Sequence, residues 1–247
     1  ANAIGIHVRD AASPSIQAAH VHHNTSEGVS VSNATASLSD SLIHDNASSG
    51  VRSYVSDSGS RTLRLTHCTV AHNGGDGVWF QRTDSSYALS VQLTSSSFTH
   101  NGSAGMRDAA TRDYRRATLS CSGSNSWGNT GGTWANVAMP ANSSCFSYNP
   151  LYADADARNY EPTIFSPNRG MGSGGSYAGA MDWDGAVGPQ IMGFFWEDYT
   201  FTAAGSPYTV LGDLVVTDGV TVRFEPGARL LVVPGADGMG GGNSSGL

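Results

Sequence analysis

Val21-His22-His23-Asn24-Thr25-Ser26-Glu27-Gly28-Val29 is one copy of a phrase that recurs along the chain. An asparagine is followed four residues later by glycine and five residues later by an apolar residue. The same register returns in Asn46–Gly50–Val51, Asn73–Gly77–Val78 and Asn101–Gly105–Met106. Three residues before each asparagine stands Val21, Ile43, Val70 or Phe98, and eight residues before stands Ile16, Leu38, Leu65 or Leu93. Copies spaced roughly 22 to 28 residues apart mark a repeat architecture, in which neighbouring copies stack because a single one cannot bury its apolar side.

Within each copy apolar and polar residues alternate. Val78 and Phe80 flank Trp79, and Leu63 and Leu65 flank Arg64. A period of two predicts short half-buried strands. Gly, Asn and Ser separate them, which argues against helices. The units suggest successive parallel coils over residues 14–110, each about 4.8 Å above the last. Val21, Ile43, Val70 and Phe98 are expected to stack inside, as are Val29, Val51, Val78 and Met106.

The four phrases resemble the rungs of right-handed parallel β-helix proteins of the pectate-lyase-like superfamily, over roughly residues 1–135. A second stretch carries the same resemblance. Asn149-Pro150-Leu151-Tyr152-Ala153-Asp154, with Asn159-Tyr160 and Ser166-Pro167, ends in Gly179-Ala180-Met181-Asp182 and Gly185-Ala186-Val187-Gly188. It is similar to the closing segment that follows bacterial β-helices. The resemblance implies an all-β fold of about five rungs in 1–135, a closing connector in 136–190, and the start of a second β-helix-like module in 191–247. It also implies that Asn24, Asn46, Asn73 and Asn101 point inward as a hydrogen-bonded ladder. The sequons Asn24-Thr25-Ser26 and Asn46-Ala47-Ser48 are then discounted, because a buried amide cannot carry a glycan. Function does not follow from the resemblance, since lyases, hydrolases, phage spikes and non-catalytic surface proteins share the fold.

Charged residues make up 13% of the chain, every basic residue is arginine, and the net charge is −7. An acidic chain of this kind is a poor partner for nucleic acid. No apolar run is long enough to span a membrane. The opening Ala1-Asn2-Ala3-Ile4-Gly5-Ile6 reads as if already inside a rung. The tail alternates through Val210, Leu214, Val216, Val220, Val222, Phe224, Leu230 and Val232. Together these suggest a segment of a longer bacterial secreted or surface protein. Residues 1–12 are expected to present a coil edge covered by another part or copy of the same protein.

Of three cysteines, Cys68 reads as a buried free thiol at an alternating strand position. Cys121 and Cys145 flank a Ser/Asn/Gly-rich stretch and are expected to pair, which fits an oxidising compartment, outside the cell or on its surface. The odd count leaves other pairings open.

Six residues after each repeat asparagine come Ser30, Arg52, Trp79 and Arg107, and two positions further come Ser32, Tyr54, Gln81 and Ala109. Alternation places both columns on the outer face of one sheet. Two readings stay open there. Arg52, Trp79 and Arg107 form a self-satisfied cation–π stack, or, with Tyr54 and Gln81, they bind a glycan through its apolar face and hydroxyls.

The connectors Ser56–Arg61, Arg82–Tyr87 and Thr111–Arg116 each carry Asp and Arg, and loops on a rigid scaffold are common functional positions. Asp57, Asp84 and Asp113 with Arg61, Arg112 and Arg115 are the candidates for a polysaccharide lyase, whose base and charge stabilisation the superfamily often supplements with calcium. A glycoside hydrolase needs two carboxylates about 5 to 9.5 Å apart. The alternative is that these are surface salt bridges.

His23, His72 and His100 directly precede a repeat asparagine, with Asp45 filling the missing place. Of these, His72 and His100 alone occupy neighbouring rungs, where zinc wants three or four ligands. They read as polar turn residues, and no metal is expected there. Asp154, Asp156, Asp182 and Asp184 leave calcium as an alternative to no cofactor. The sequence reads best as a non-catalytic structural or adhesive module, a stalk, surface or filament component, that contacts copies or segments of its own protein and, in one of the two readings of its outer face, glycans. The second reading is a polysaccharide lyase or glycoside hydrolase.

Overall fold

The computed structural model describes residues 2–110, 116–185 and 191–240. It divides into two compact units. One comprises Ala1–Phe146 with Met171–Met181, the other Ser147–Gly170 with Asp182–Leu247.

In the first unit β1 (Ile6–Arg9) is followed by a three-strand coil that repeats. The first coil is β2 (Ser15–Gln17), β3 (His20–His22) and β4 (Val29–Ser32); the second is β5 (Ala36–Ser39), β6 (Leu42–His44) and β7 (Val51–Val55). The third is β8 (Ser60–Thr66), β9 (Thr69–Ala71) and β10 (Val78–Arg82). The fourth is β11 (Ala88–Thr94), β12 (Ser97–Thr99) and β13 (Met106–Asp108), and β14 (Thr118–Ser122), β15 (Asn125–Trp127) and β16 (Trp134–Ala135) complete the stack. Like strands pair in parallel from coil to coil, giving sheets of six, five and five strands: β1-β4-β7-β10-β13-β16, β2-β5-β8-β11-β14 and β3-β6-β9-β12-β15.

The register is the one the repeat dictates. Val21 lies over Ile43, Ile43 over Val70, and Val70 over Phe98. Val29, Val51, Val78 and Met106 stack in the same way. A third inward column runs from Ile16 through Leu38, Leu65 and Leu93 to Cys121. The three columns meet in one core. Each fully buried aliphatic or aromatic side chain contributes about 1.5 to 3 kcal/mol relative to exposure, which favours stacked coils over isolated ones.

The turns obey two local rules. The residue before each ladder asparagine is left-handed: His23, Asp45, His72 and His100 have φ of 55°, 50°, 52° and 55°. His and Asp are among the side chains that tolerate this region. The glycine four residues after the asparagine is there for space. A Cβ on Gly50 would lie 2.3 Å from Val70 Cγ1 and 2.7 Å from Asn73 Nδ2.

The asparagines do form a ladder. Asn24 Nδ2 donates to Asn46 Oδ1 at 2.8 Å, Asn46 to Asn73 at 2.9 Å, and Asn73 to Asn101 at 3.0 Å. Asn129 extends it, accepting from Asn101 Nδ2 at 2.9 Å. Sequence reading missed this rung because Thr133 stands where the pattern asks for glycine, although Trp134 keeps the apolar place. A parallel hydroxyl ladder was also missed. Ser41 Oγ accepts from the Ala19 N–H, Ser96 Oγ from Cys68, and Ser124 Oγ from Ser96. Cys68 therefore sits at a turn inside the hydroxyl ladder, not on a strand, and it is fully buried and free.

The second unit begins with an antiparallel pair, β17 (Tyr152–Asp154) and β18 (Asn159–Pro162). Parallel coils follow: β19 (Ile191–Phe195), β20 (Tyr199–Phe201), β21 (Tyr208–Val216), β22 (Val222–Phe224) and β23 (Leu230–Val232). They form sheets β19-β21-β23 and β20-β22. Phe165, Phe195, Phe201 and Val210 lie in its core, whereas Val216, Phe224 and Val232 are exposed. The rung count therefore differs slightly from the five expected, while the all-β parallel coil is as expected. Ala186, Val187 and Gly188 lie outside the described residues. No helix among the described residues is long and apolar enough to cross a membrane.

Candidate functional site

The six-stranded sheet carries the candidate face. Strand alternation turns Val78 and Phe80 into the core and Trp79 and Gln81 outward. Trp79 is in register with Arg52 on one side and Arg107 on the other, and Gln81 with Tyr54. The column continues to Ser30, which is buried instead of presented to solvent.

The two arginines do different work. The Arg52 guanidinium lies 4.8 Å from the Trp79 ring centroid and 5.3 Å from that of Tyr54. Its Nε is also 3.8 Å from Glu27 Oε1. Arg107 is fixed by Asp76: its Nε donates to both carboxylate oxygens at 3.0 Å, and its Nη2 donates to Ser103 Oγ at 2.8 Å. Asp76 is itself buried and accepts from the Ala104 N–H at 2.9 Å. Each arginine thus reaches back to an acid of the preceding coil, but only the second pair is close and well ordered by hydrogen bonds. Asp76 was not singled out from sequence; its place two residues before Val78, matching Glu27 before Val29, is the signal that could have found it. Gln81 Nε2 donates to the Ala109 carbonyl at 2.9 Å, so its amide is committed to the neighbouring coil. Trp79, Arg52 and Tyr54 make up the partly exposed, aromatic and basic part of the face.

The connector carboxylates serve their own loops. Asp57 Oδ2 accepts from Arg61 Nη2 at 2.8 Å, and Asp84 Oδ1 accepts from the N–H and Oγ of Ser86 at 3.0 and 2.9 Å. Arg112, Asp113 and Arg115 lie outside the described residues. Beside them, Asp108 is buried, and burial pushes its carboxyl above the usual range even though it accepts from the Ala110 and Ala117 N–H groups. In the second unit Asp154 accepts from the Ala157 N–H and Asp182 from the Trp183 N–H. Cys121 and Cys145 are joined by a disulfide with a Cα–Cα distance of 5.8 Å.

Residues 1–93 match the family model described as right handed beta helix region. The parallel sheets run on to Ala135, so the architecture of the first unit is that of a parallel β-helix repeat, consistent with this match. No curated protein and no solved structure matches it.

Proposed function

We propose that this chain is a non-catalytic extracellular module that serves as a rigid structural or adhesive element and offers the Arg52–Trp79–Tyr54 face to glycans. The observation that carries the reading is the packing of Arg52 between two aromatic rings on the outer face of a continuous sheet, at 4.8 and 5.3 Å. An exposed indole covers the apolar face of a sugar ring, and a guanidinium beside it supplies up to five donors for hydroxyls or a sugar carboxylate. The Asn and Ser ladders hold that face on a scaffold with little freedom to deform, which lowers the ordering cost of binding. The disulfide supports an oxidising location. The engagement of Asp57 and Asp84 within their own loops favours this reading over a lyase or hydrolase.

A glycan array probed with the native chain and with Trp79→Ala tests it. Retention on a subset of glycans, lost in the variant while the melting temperature stays nearly unchanged, is expected. Equal retention by both proteins, or none by either, overturns the glycan reading.

A further inference from the structure

We propose that His20, His22 and His44 form a binding site for one divalent transition-metal ion of the zinc, nickel or copper class. Val21 points into the core, so its neighbours His20 and His22 stand outward on β3, about 6.6 Å apart along the strand. His44 on β6 is the register partner of His22, one coil away. Three imidazoles from two adjacent strands thus lie together, His20 and His22 exposed and His44 buried. Their ring centroids lie 4.5, 4.8 and 5.1 Å apart. Three rings bound at 2.0–2.1 Å to a tetrahedral ion have centroids about 5 Å apart.

The donor chemistry agrees. His44 Nδ1 lies 2.8 Å from Asp45 Oδ2, which fixes this nitrogen as the N–H and turns the Nε2 lone pair outward. That nitrogen meets His20 Nε2 at 2.6 Å. A carboxylate behind a ligating histidine sets its tautomer and raises its basicity. Burial, with His22 beside them, holds both His20 and His44 below the usual histidine range, so they are neutral and able to ligate at neutral pH. The other titratable groups of the patch are His23, which follows β3, and Asp45, which follows β6.

As placed, His22 Nδ1 turns to His23 Nδ1 at 2.6 Å. No three His, Cys, Asp or Glu donors among the described residues therefore already converge on one point. Two side-chain adjustments complete the site. The exposed His22 ring rotates from His23 toward His44, and the His20–His44 nitrogens open to about 3.3 Å, the spacing of two ligands on a tetrahedral zinc. The fourth position stays open to water.

Isothermal titration of the native chain with Zn²⁺ and Ni²⁺ at pH 7.5, after dialysis against chelator, tests the proposal. Saturable binding of one ion per chain is expected. His20→Gln and His22→Gln alter exposed rings and leave the fold intact by circular dichroism; each should weaken binding at least about tenfold, and Asp45→Asn, which removes no ligand, by about 10- to 100-fold. His7→Gln, on the other face, should change nothing. Co²⁺ loading should give the intense visible bands of a tetrahedral site, weakened in His44→Gln. Absence of saturable binding, or unchanged affinity in His20→Gln or His22→Gln, overturns the site.

Discussion

Asn46 and Asn73 are joined twice: Asn73 Oδ1 accepts from Asn46 Nδ2 at 2.9 Å and from the Asn46 backbone N–H at 3.2 Å. The Asn73 amide nitrogen in turn donates to the carbonyls of Ile43 and Ala71. Each side chain thus satisfies backbone groups of its own coil and of the one before it. The repeat cannot lose one such residue without stranding groups on two coils.

Asn73→Ala should therefore destabilise the first unit by about 2 to 4 kcal/mol, because several buried polar groups lose partners together. Asn73→Asp should cost more, since it sets carboxylate oxygens against the Ile43 and Ala71 carbonyls and the Asn101 oxygen. Denaturant unfolding of the three proteins checks the order. A midpoint unchanged in Asn73→Ala would contradict it.

The cysteines should be silent in the native, unreduced protein. Cys68 is fully buried, and burial pushes its thiol up to about 12, so thiolate is scarce at neutral pH. Cys121 and Cys145 are bonded to each other. A maleimide reagent should label one site after unfolding without reductant and three after reduction. Rapid labelling of the folded chain would refute the arrangement.

Arg52 and Arg107 should separate in mutagenesis although they occupy one column. Arg107→Ala strips Asp76 of its cation while leaving the carboxylate buried, at a cost of about 1 to 3 kcal/mol. Arg52→Ala removes a longer, partly exposed pairing to Glu27 and should cost less than about 1 kcal/mol. Thermal melts of both variants decide the matter, and equal losses would show that Asp76 is not what fixes Arg107.

Acid should loosen the coils that carry the histidine cluster. His20 and His44 titrate below the ordinary value of 6.5 in the folded chain. The unfolded chain therefore binds more protons as pH drops below that value. The stability of their neutral forms is complete above about 6.5 and is lost as pH falls through the folded values. The melting temperature, followed from pH 7.5 to 5 in chelator, should fall, and fall less steeply in His20→Gln. A flat profile would remove the effect.

The stacked coil is legible in residue order alone. Val21, Ile43, Val70 and Phe98 declare their stacking because strand alternation is a local property, and a fixed register repeats it at every turn of the chain. The turn asparagines and the close-packed glycines are legible for the same reason. What the outward side chains do is set by three-dimensional packing. Arg107 finds Asp76 across 31 positions of sequence, and His44 finds His20 across 24. Those pairings depend on coil length, on which strand lies beside which, and on the rotamer each long side chain adopts over its neighbour. Arg52 and Arg107 look alike in the repeat, and one covers an indole while the other is held by a buried carboxylate. Asn129 belongs to the ladder although Thr133 breaks its pattern, because the ladder needs the amide stacked in register with the coil before it, and that position is fixed by the fold and not by the glycine.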